Sequence, residues 1–255
     1  MHEAASEPGR VGPPAGPPAG AAAGTPADVR ARKAALRASL LSARKRLSAG
    51  ELSAAGRSIR DHVLALPEAQ MAGTVAAYFS VGSEPDTHGL VYALWKRGTY
   101  VILPLLRPDG DLDWASYEGP ESLRPGPHGL LEPSEPARGT GAIERAGLVL
   151  APALAVDMSG NRLGRGGGSF DRALARVGSQ VPVIALLYDG ELLDRVPAEP
   201  HDRPVRLAAL PSRGIVPLQI PLHRSAILST RTMRVLASRE RSRDAGPAGG
   251  RLASD

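Results

Sequence analysis

The stretch LVLAPALAVDMSGNRLGRGGGSFDRAL, residues 148–174, passes from a nearly unbroken apolar run through five glycines and the loop arginines Arg162 and Arg165 into a second apolar-periodic segment. A continuous apolar run of this length reads as strand covered on both faces, and the periodic segment reads as a helix beginning near Phe170. Strand, glycine loop and helix in that order put the loop beyond the carboxyl end of a strand, where open α/β sheets bind ligands. Glycines let backbone N–H groups approach a phosphate, the helix start adds a favourable dipole, and the two arginines supply charge-assisted donors. The loop therefore fits an anion. It is not a Walker loop, because no Lys-Ser/Thr closes it, and not G-x-G-x-x-G, because Ser169 stands where the third glycine belongs. GGGS also reads as linker, although a linker rarely runs straight into an amphipathic helix.

Working outward, TVAAYFS (74–80), YVILPLL (100–106), GLVLAPALAV (147–156) and VPVIALLY (181–188) are further apolar runs, with helical segments at 87–97 and 170–177 between several of them. The repetition predicts an α/β, three-layer sandwich: a mainly parallel sheet with helices on both faces. Upstream, Asp28 is the expected N-cap of a helix whose Leu36, Leu40, Ala43 and Leu47 form an apolar stripe. Ser48 and Glu51 form a capping-box pattern for a second helix. Segment 107–146 is rich in Pro and Gly, with DWASYEG as a short strand, and reads as an excursion over the surface that covers a site. Residues 1–27, with PPAGPPAGAAAG, cannot bury enough apolar surface to offset ordering and are expected to be disordered. Residues 222–255 read as an Arg-rich flexible tail, leaving 28–221 as one domain.

Composition excludes several classes. The 255 residues, 42% apolar, suffice for one sizeable core or two small ones. With no Cys there is no disulfide, thiolate metal site or Cys nucleophile. No signal-peptide pattern opens the sequence and no run approaches the roughly 18 apolar residues of a membrane span, so a soluble, cytoplasmic protein without membrane attachment is expected. From His223 onward seven Arg face three acids, a net +4 out of the total +5, so the body is nearly neutral. That tail carries no aromatic residue, and nucleic-acid binding is not expected. Only three of the 31 basic residues are Lys, which makes each of them informative.

The 148–174 stretch resembles the signature of the 5-formyltetrahydrofolate cyclo-ligases, also called methenyltetrahydrofolate synthetases. KAALRASLLSARKRLS (33–48) is similar to that family's opening helix, YFSVGSEPDT (78–87) to its folate-contacting strand end, HGLLEP (128–133) to its middle motif and VPAEPHD (196–202) to its late one. The resemblance implies ATP- and Mg2+-dependent closure of 5-formyltetrahydrofolate to 5,10-methenyltetrahydrofolate by a monomer, the reduced folate carrying a polyglutamate tail or none. The rival is a catalytically weak paralogue that binds folate or nucleotide as a sensor or sink.

By the same resemblance, Arg162, Leu163, Gly164, Arg165, Gly166, Gly167, Gly168, Ser169 and Phe170 wrap the ATP phosphates. Lys33 and Arg37 contact the nucleotide, and Lys33 and Arg165 meet the charge that moves during reaction. Asp171 and Asp202 hold magnesium, and Phe79, Glu84 and His128 contact folate. The residues alone leave plainer readings open. Asp171 is also a first-turn helix acid, Asp202 a turn residue, and Lys33 and Arg37 snorkelling side chains beside the Leu stripe. Phe79 reads equally as core, and Glu84 as a solvated loop acid. The chain departs from the family pattern at Ser169 and Phe170, where an aromatic pair ending in Tyr is usual, and at Arg206 and Leu210, where polar residues are common.

Overall fold

The computed structural model describes residues 25–220. The disorder expected of 1–27 and 222–255 thus falls, except for 25–27, outside the described residues. The elements in chain order are α1 (Pro26–Arg44), α2 (Ala49–Leu64), α3 (Pro67–Met71), β1 (Thr74–Ala76), α4 (His88–Lys96), β2 (Tyr100–Leu106), β3 (Leu112–Ser116), β4 (Leu123–Pro125) and β5 (Leu131–Pro133). There follow β6 (Leu148–Pro152), β7 (Ala155–Asp157), β8 (Arg162–Leu163), α5 (Ser169–Leu174), β9 (Val183–Leu186), β10 (Leu192–Leu193), β11 (Leu207–Leu210) and β12 (Gly214–Pro217).

Helix α1 begins earlier than expected. Thr25, not Asp28, is its N-cap: the Thr25 hydroxyl accepts from the Asp28 N–H, and the Asp28 carboxylate accepts from the Thr25 N–H at 2.9 Å. Pro26 fills the first helical position, where its missing N–H costs nothing. Asp28 is therefore the third residue of a capping box, and residues 25–27 are ordered by it. The Ser48–Glu51 box of α2 forms as the sequence predicts.

The seven-stranded sheet runs β12-β11-β9-β6-β1-β2-β3. The inner pairs are parallel, and the edge strands β12 and β3 pair antiparallel with β11 and β2. Alternation along the strands splits the core in two. Val75, Val101, Leu148, Leu150, Ile184 and Leu207 face α2, α3 and α4, whereas Ala76, Ile102, Val149, Ala151, Ala185 and Ala208 face α5 and the 3₁₀ turn Thr140–Arg145. The three-layer α/β sandwich follows directly from that parity. Segment 107–146 is more than a surface excursion, because β3 completes the sheet and its Trp114 is fully buried.

GLVLAPALAV, one run in sequence, is two strands. The chain leaves the main sheet at Pro152, and β7 pairs instead with β8 and β10 in a three-stranded sheet. Helix α1 packs on this small sheet, with Leu40 against Leu154, Ala155, Leu163 and Val196. Among the described residues no helix is long and apolar enough to cross a membrane.

Candidate functional site

A cavity of about 440 Å³ opens beside the residues that follow β1 and β6, between α1, the glycine loop, the β2–β3 pair and segments 128–131 and 199–202. The position agrees with ligand binding beyond strand carboxyl ends. Every site residue named from the sequence lines it: Lys33, Arg37, Phe79, Glu84, His128, the loop from Arg162 to Phe170, Asp171 and Asp202.

Helix α1 delivers its cations differently from the sequence reading. Two of its cations are buried beside the stripe: Lys33 and Arg44 are 4% and 2% exposed, while of the stripe Leu40 is buried, Leu36 and Ala43 are half-buried and Leu47 lies beyond the helix. A buried ammonium must be paired, and Lys33 Nζ donates to Asp202 Oδ2 at 2.6 Å and Glu199 Oε2 at 2.9 Å. Snorkelling is thus excluded for Lys33. The Asp202 carboxylate also accepts from the Glu199 N–H, so the 199–202 turn folds around the ammonium. The hydrogen bond from Lys33 holds the Glu199 carboxyl below the usual carboxylate range.

The glycine loop is fixed along its length. Buried Arg162 donates to the Pro152 carbonyl and, at 2.7 Å, to Asp171 Oδ1, tying the start of the loop to the helix after it. Arg37 Nε donates to the Gly164 carbonyl at 2.9 Å. Arg165 Nε pairs with Glu84 Oε1 at 3.2 Å. Gly166 and Gly168 take φ of 109° and 70°, conformations that side chains resist. Phe170 meets Tyr78 and Trp114 edge-on and packs against both halves of the core, which explains an aromatic without a hydroxyl there.

On the opposite wall the YFSVGSEPDT loop is locked by Thr87, whose hydroxyl donates to the Tyr78 carbonyl and accepts from the Ser80 N–H. Phe79 stacks on His88 with ring centroids 3.9 Å apart, so it is half core and half cavity wall. Glu84 is not a solvated acid: it accepts from the Val81 N–H and pairs with Arg165. His128 sits at the cavity edge with φ 56°, the one positive φ among described non-glycine residues.

Sequence reasoning missed Arg44, Tyr78 and Glu199 as cavity residues. Arg44 pairs with Glu191 at 2.7 Å, donates to the Ala153 carbonyl and lies over the Tyr188 ring. Burial pushes the Tyr78 phenol well above its ordinary pKa, and its hydroxyl has no hydrogen-bond partner among the described residues. Glu199 carried a signal, since it lies three residues before Asp202 in EPHD.

Two acidic groups approach the loop. Glu199, His201 and Asp202 bring ligand atoms within 4.8 Å of one another; Asp171 stands outside that group, its Oδ1 accepting from Arg162 and from the Arg203 N–H. Carboxylate oxygens are the donors a hard divalent cation takes, so these acids suit magnesium once Lys33 releases Glu199 and Asp202 and Arg162 releases Asp171. Arg162 Nε, buried without a partner among the described residues, is a donor that an anion in the cavity would satisfy.

The model of the 5-formyltetrahydrofolate cyclo-ligase family matches residues 29–211. The chain belongs to that family. A 5-formyltetrahydrofolate cyclo-ligase of Mycolicibacterium smegmatis is 39% identical over 193 residues, 73% of this chain and 97% of that protein. One of Escherichia coli is 30% identical over 173 residues, 67% of this chain and 95% of that protein. Among solved structures, the Aquifex aeolicus 5,10-methenyltetrahydrofolate synthetase superposes with a TM-score of 0.64 at 26% identity, covering 78% of this chain and 97% of that one. A cyclo-ligase enzyme, as the sequence motifs imply, is thereby supported by family, by relatives and by fold. The family supports a folate substrate.

Proposed function

We propose that the protein closes 5-formyltetrahydrofolate to 5,10-methenyltetrahydrofolate with ATP and magnesium, releasing ADP and phosphate. The observation that carries this is the meeting in one cavity of the fixed glycine loop, the α1 cations and the carboxylates of Asp171 and Asp202. An N-formyl group is a poor electrophile, and attack by the neighbouring folate nitrogen would have to expel hydroxide. Transfer of the γ-phosphoryl group to the formyl oxygen makes that oxygen part of a phosphate leaving group. The folate nitrogen then attacks the formyl carbon, phosphate departs with the oxygen, the attacking nitrogen gives up its proton to the departing phosphate or solvent, and the ring is closed.

Such a reaction needs no covalent nucleophile, only positioning and stabilisation of moving charge. The loop N–H groups from Gly164 to Gly168, with Arg165 and Arg37, hold the phosphates. Lys33 turns from its carboxylates toward the transferring phosphoryl group. Glu84 accepts from N–H groups of the pterin, with Phe79 and His128 beside the ring. Asp171 and Asp202 would hold magnesium, which neutralises phosphate charge. Solubility, a cytoplasmic location and a monomer complete the proposal.

The test is the near-UV absorbance of the methenyl product when 5-formyltetrahydrofolate, MgATP and enzyme are mixed. Binding of both ligands without that absorbance would replace the proposal with the sensor or sink. Asp202→Asn should lower turnover and raise the magnesium needed for half-maximal rate; an unchanged magnesium titration returns Asp202 to a turn residue that holds Lys33.

A further inference from the structure

We propose that the tip of the β2–β3 hairpin positions the glycine loop, which makes Asp111 and Arg176 positioning residues of the nucleotide site although neither lines the cavity. The inference rests on the reading of that loop as the phosphate holder. Helix α5 starts from Gly168 in the left-handed region and has no side-chain cap. Its first residue bonds across to the hairpin instead. Ser169, at the position where the family pattern has an aromatic, donates its hydroxyl to the Gly110 carbonyl at 2.6 Å. Arg172 donates to the same carbonyl and to the Gly167 carbonyl at 3.2 Å, joining hairpin and loop through one guanidinium. Arg176 then forks onto Asp111, with Nη1 3.0 Å from Oδ1 and Nη2 2.5 Å from Oδ2.

The tip is stiff enough to serve as an anchor. Within it the Arg107 N–H donates to the Asp111 carbonyl, the Gly110 N–H to the Arg107 carbonyl, and the Asp111 N–H to Asp109 Oδ1. Its strands belong to the main sheet. The hydrogen bond from Arg176 holds the Asp111 carboxyl below the usual carboxylate range, so the pair is charged at neutral pH. The loop needs such an anchor, because four of its five residues from 164 to 168 are glycine and glycine loses the most backbone freedom on ordering. Bidentate Arg–carboxylate geometry fixes orientation as well as distance, which suits a positioning role.

Amide hydrogen exchange of the ligand-free protein tests this. Asp111→Asn and, from the other side, Arg176→Met should speed exchange at Arg172 and at 175–177, the hydrogen-bonded N–H groups of the helix that carries the end of the loop, by about three- to tenfold, the scale of one hydrogen bond, with core strands unaffected. The charge-swapped double variant, Asp111→Arg with Arg176→Asp, should recover much of the protection, and the KM for ATP in the single variants should rise more than kcat falls. Unchanged exchange at Arg172 and 175–177, or acceleration spread over the whole sheet, would overturn the proposal. Faster exchange at these helix amides with ATP affinity unaltered would keep the anchor and remove the phosphate reading of the loop.

Discussion

Arg165 of the glycine loop and Glu84 of the loop after β1 neutralise each other across the cavity, Nε to Oε1 at 3.2 Å. The two belong to opposite halves of the proposed site, so a ligand that engages one must release the other. Phosphates draw Arg165 from Glu84, and a pterin draws Glu84 from Arg165. Folate and ATP binding are therefore expected to be positively coupled.

Glu84→Gln removes this competition. ATP affinity without folate should rise by about two- to fivefold, given that Arg165 is half exposed and such pairs are weak. Folate affinity should fall, and folate should no longer tighten ATP. Calorimetric titration of ATP with and without folate measures both effects; identical ATP affinity and coupling in the variant would refute the competition.

Lys33→Met carries a larger stability cost than a surface lysine. It leaves Glu199 and Asp202 adjacent and without their shared ammonium, so a loss of about 1 to 3 kcal/mol is expected. Adding Glu199→Gln should return part of that loss, a less-than-additive cycle readable in urea melts. Strict additivity would mean that the pair seen in the structure contributes nothing. ATP affinity of Lys33→Met should also fall, because the charge offered to phosphate is gone.

Arg44→Met should be the most damaging of the α1 changes. Arg44 and Glu191 are 2% and 5% exposed, and removing one partner of a buried pair typically costs about 3 to 5 kcal/mol. Glu191 also accepts from the Tyr188 N–H, so the loss reaches the turn after β9. A melting temperature within a degree or two of wild type would contradict this.

Burial pushes the Tyr188 phenol up to about 12 and leaves its hydroxyl without a partner among the described residues. The unfolded chain ionises this phenol near pH 10, so the unfolded state sheds the proton first. Stability is full below that pH and falls as pH rises toward the folded value, by up to about 3 kcal/mol. Tyr188→Phe should be near neutral at pH 7 and should lose less stability than wild type between pH 8 and 11. Parallel alkaline denaturation curves would count against it.

Periodicity and local hydrogen bonding made the strands, the Ser48–Glu51 box and the glycine loop legible, because alternation, capping and positive φ depend on near neighbours in the chain. The resemblance to the family's motifs, and not residue type alone, singled out Lys33, Arg37, Glu84, Asp171 and Asp202. What these residues touch was not legible. Lys33 meets Glu199 and Asp202 from 166 and 169 residues away, Arg44 meets Glu191 at 147, and Arg176 meets Asp111 at 65. The sequence by itself determined the α/β sandwich, the place of the loop and the charges the site contains. Only the tertiary structure decided that Lys33 and Arg44 of α1 are buried, that GLVLAPALAV divides between two sheets, and which acid neutralises which base. Those outcomes depend on desolvation and on pairings between distant segments, and neither is written in local spacing.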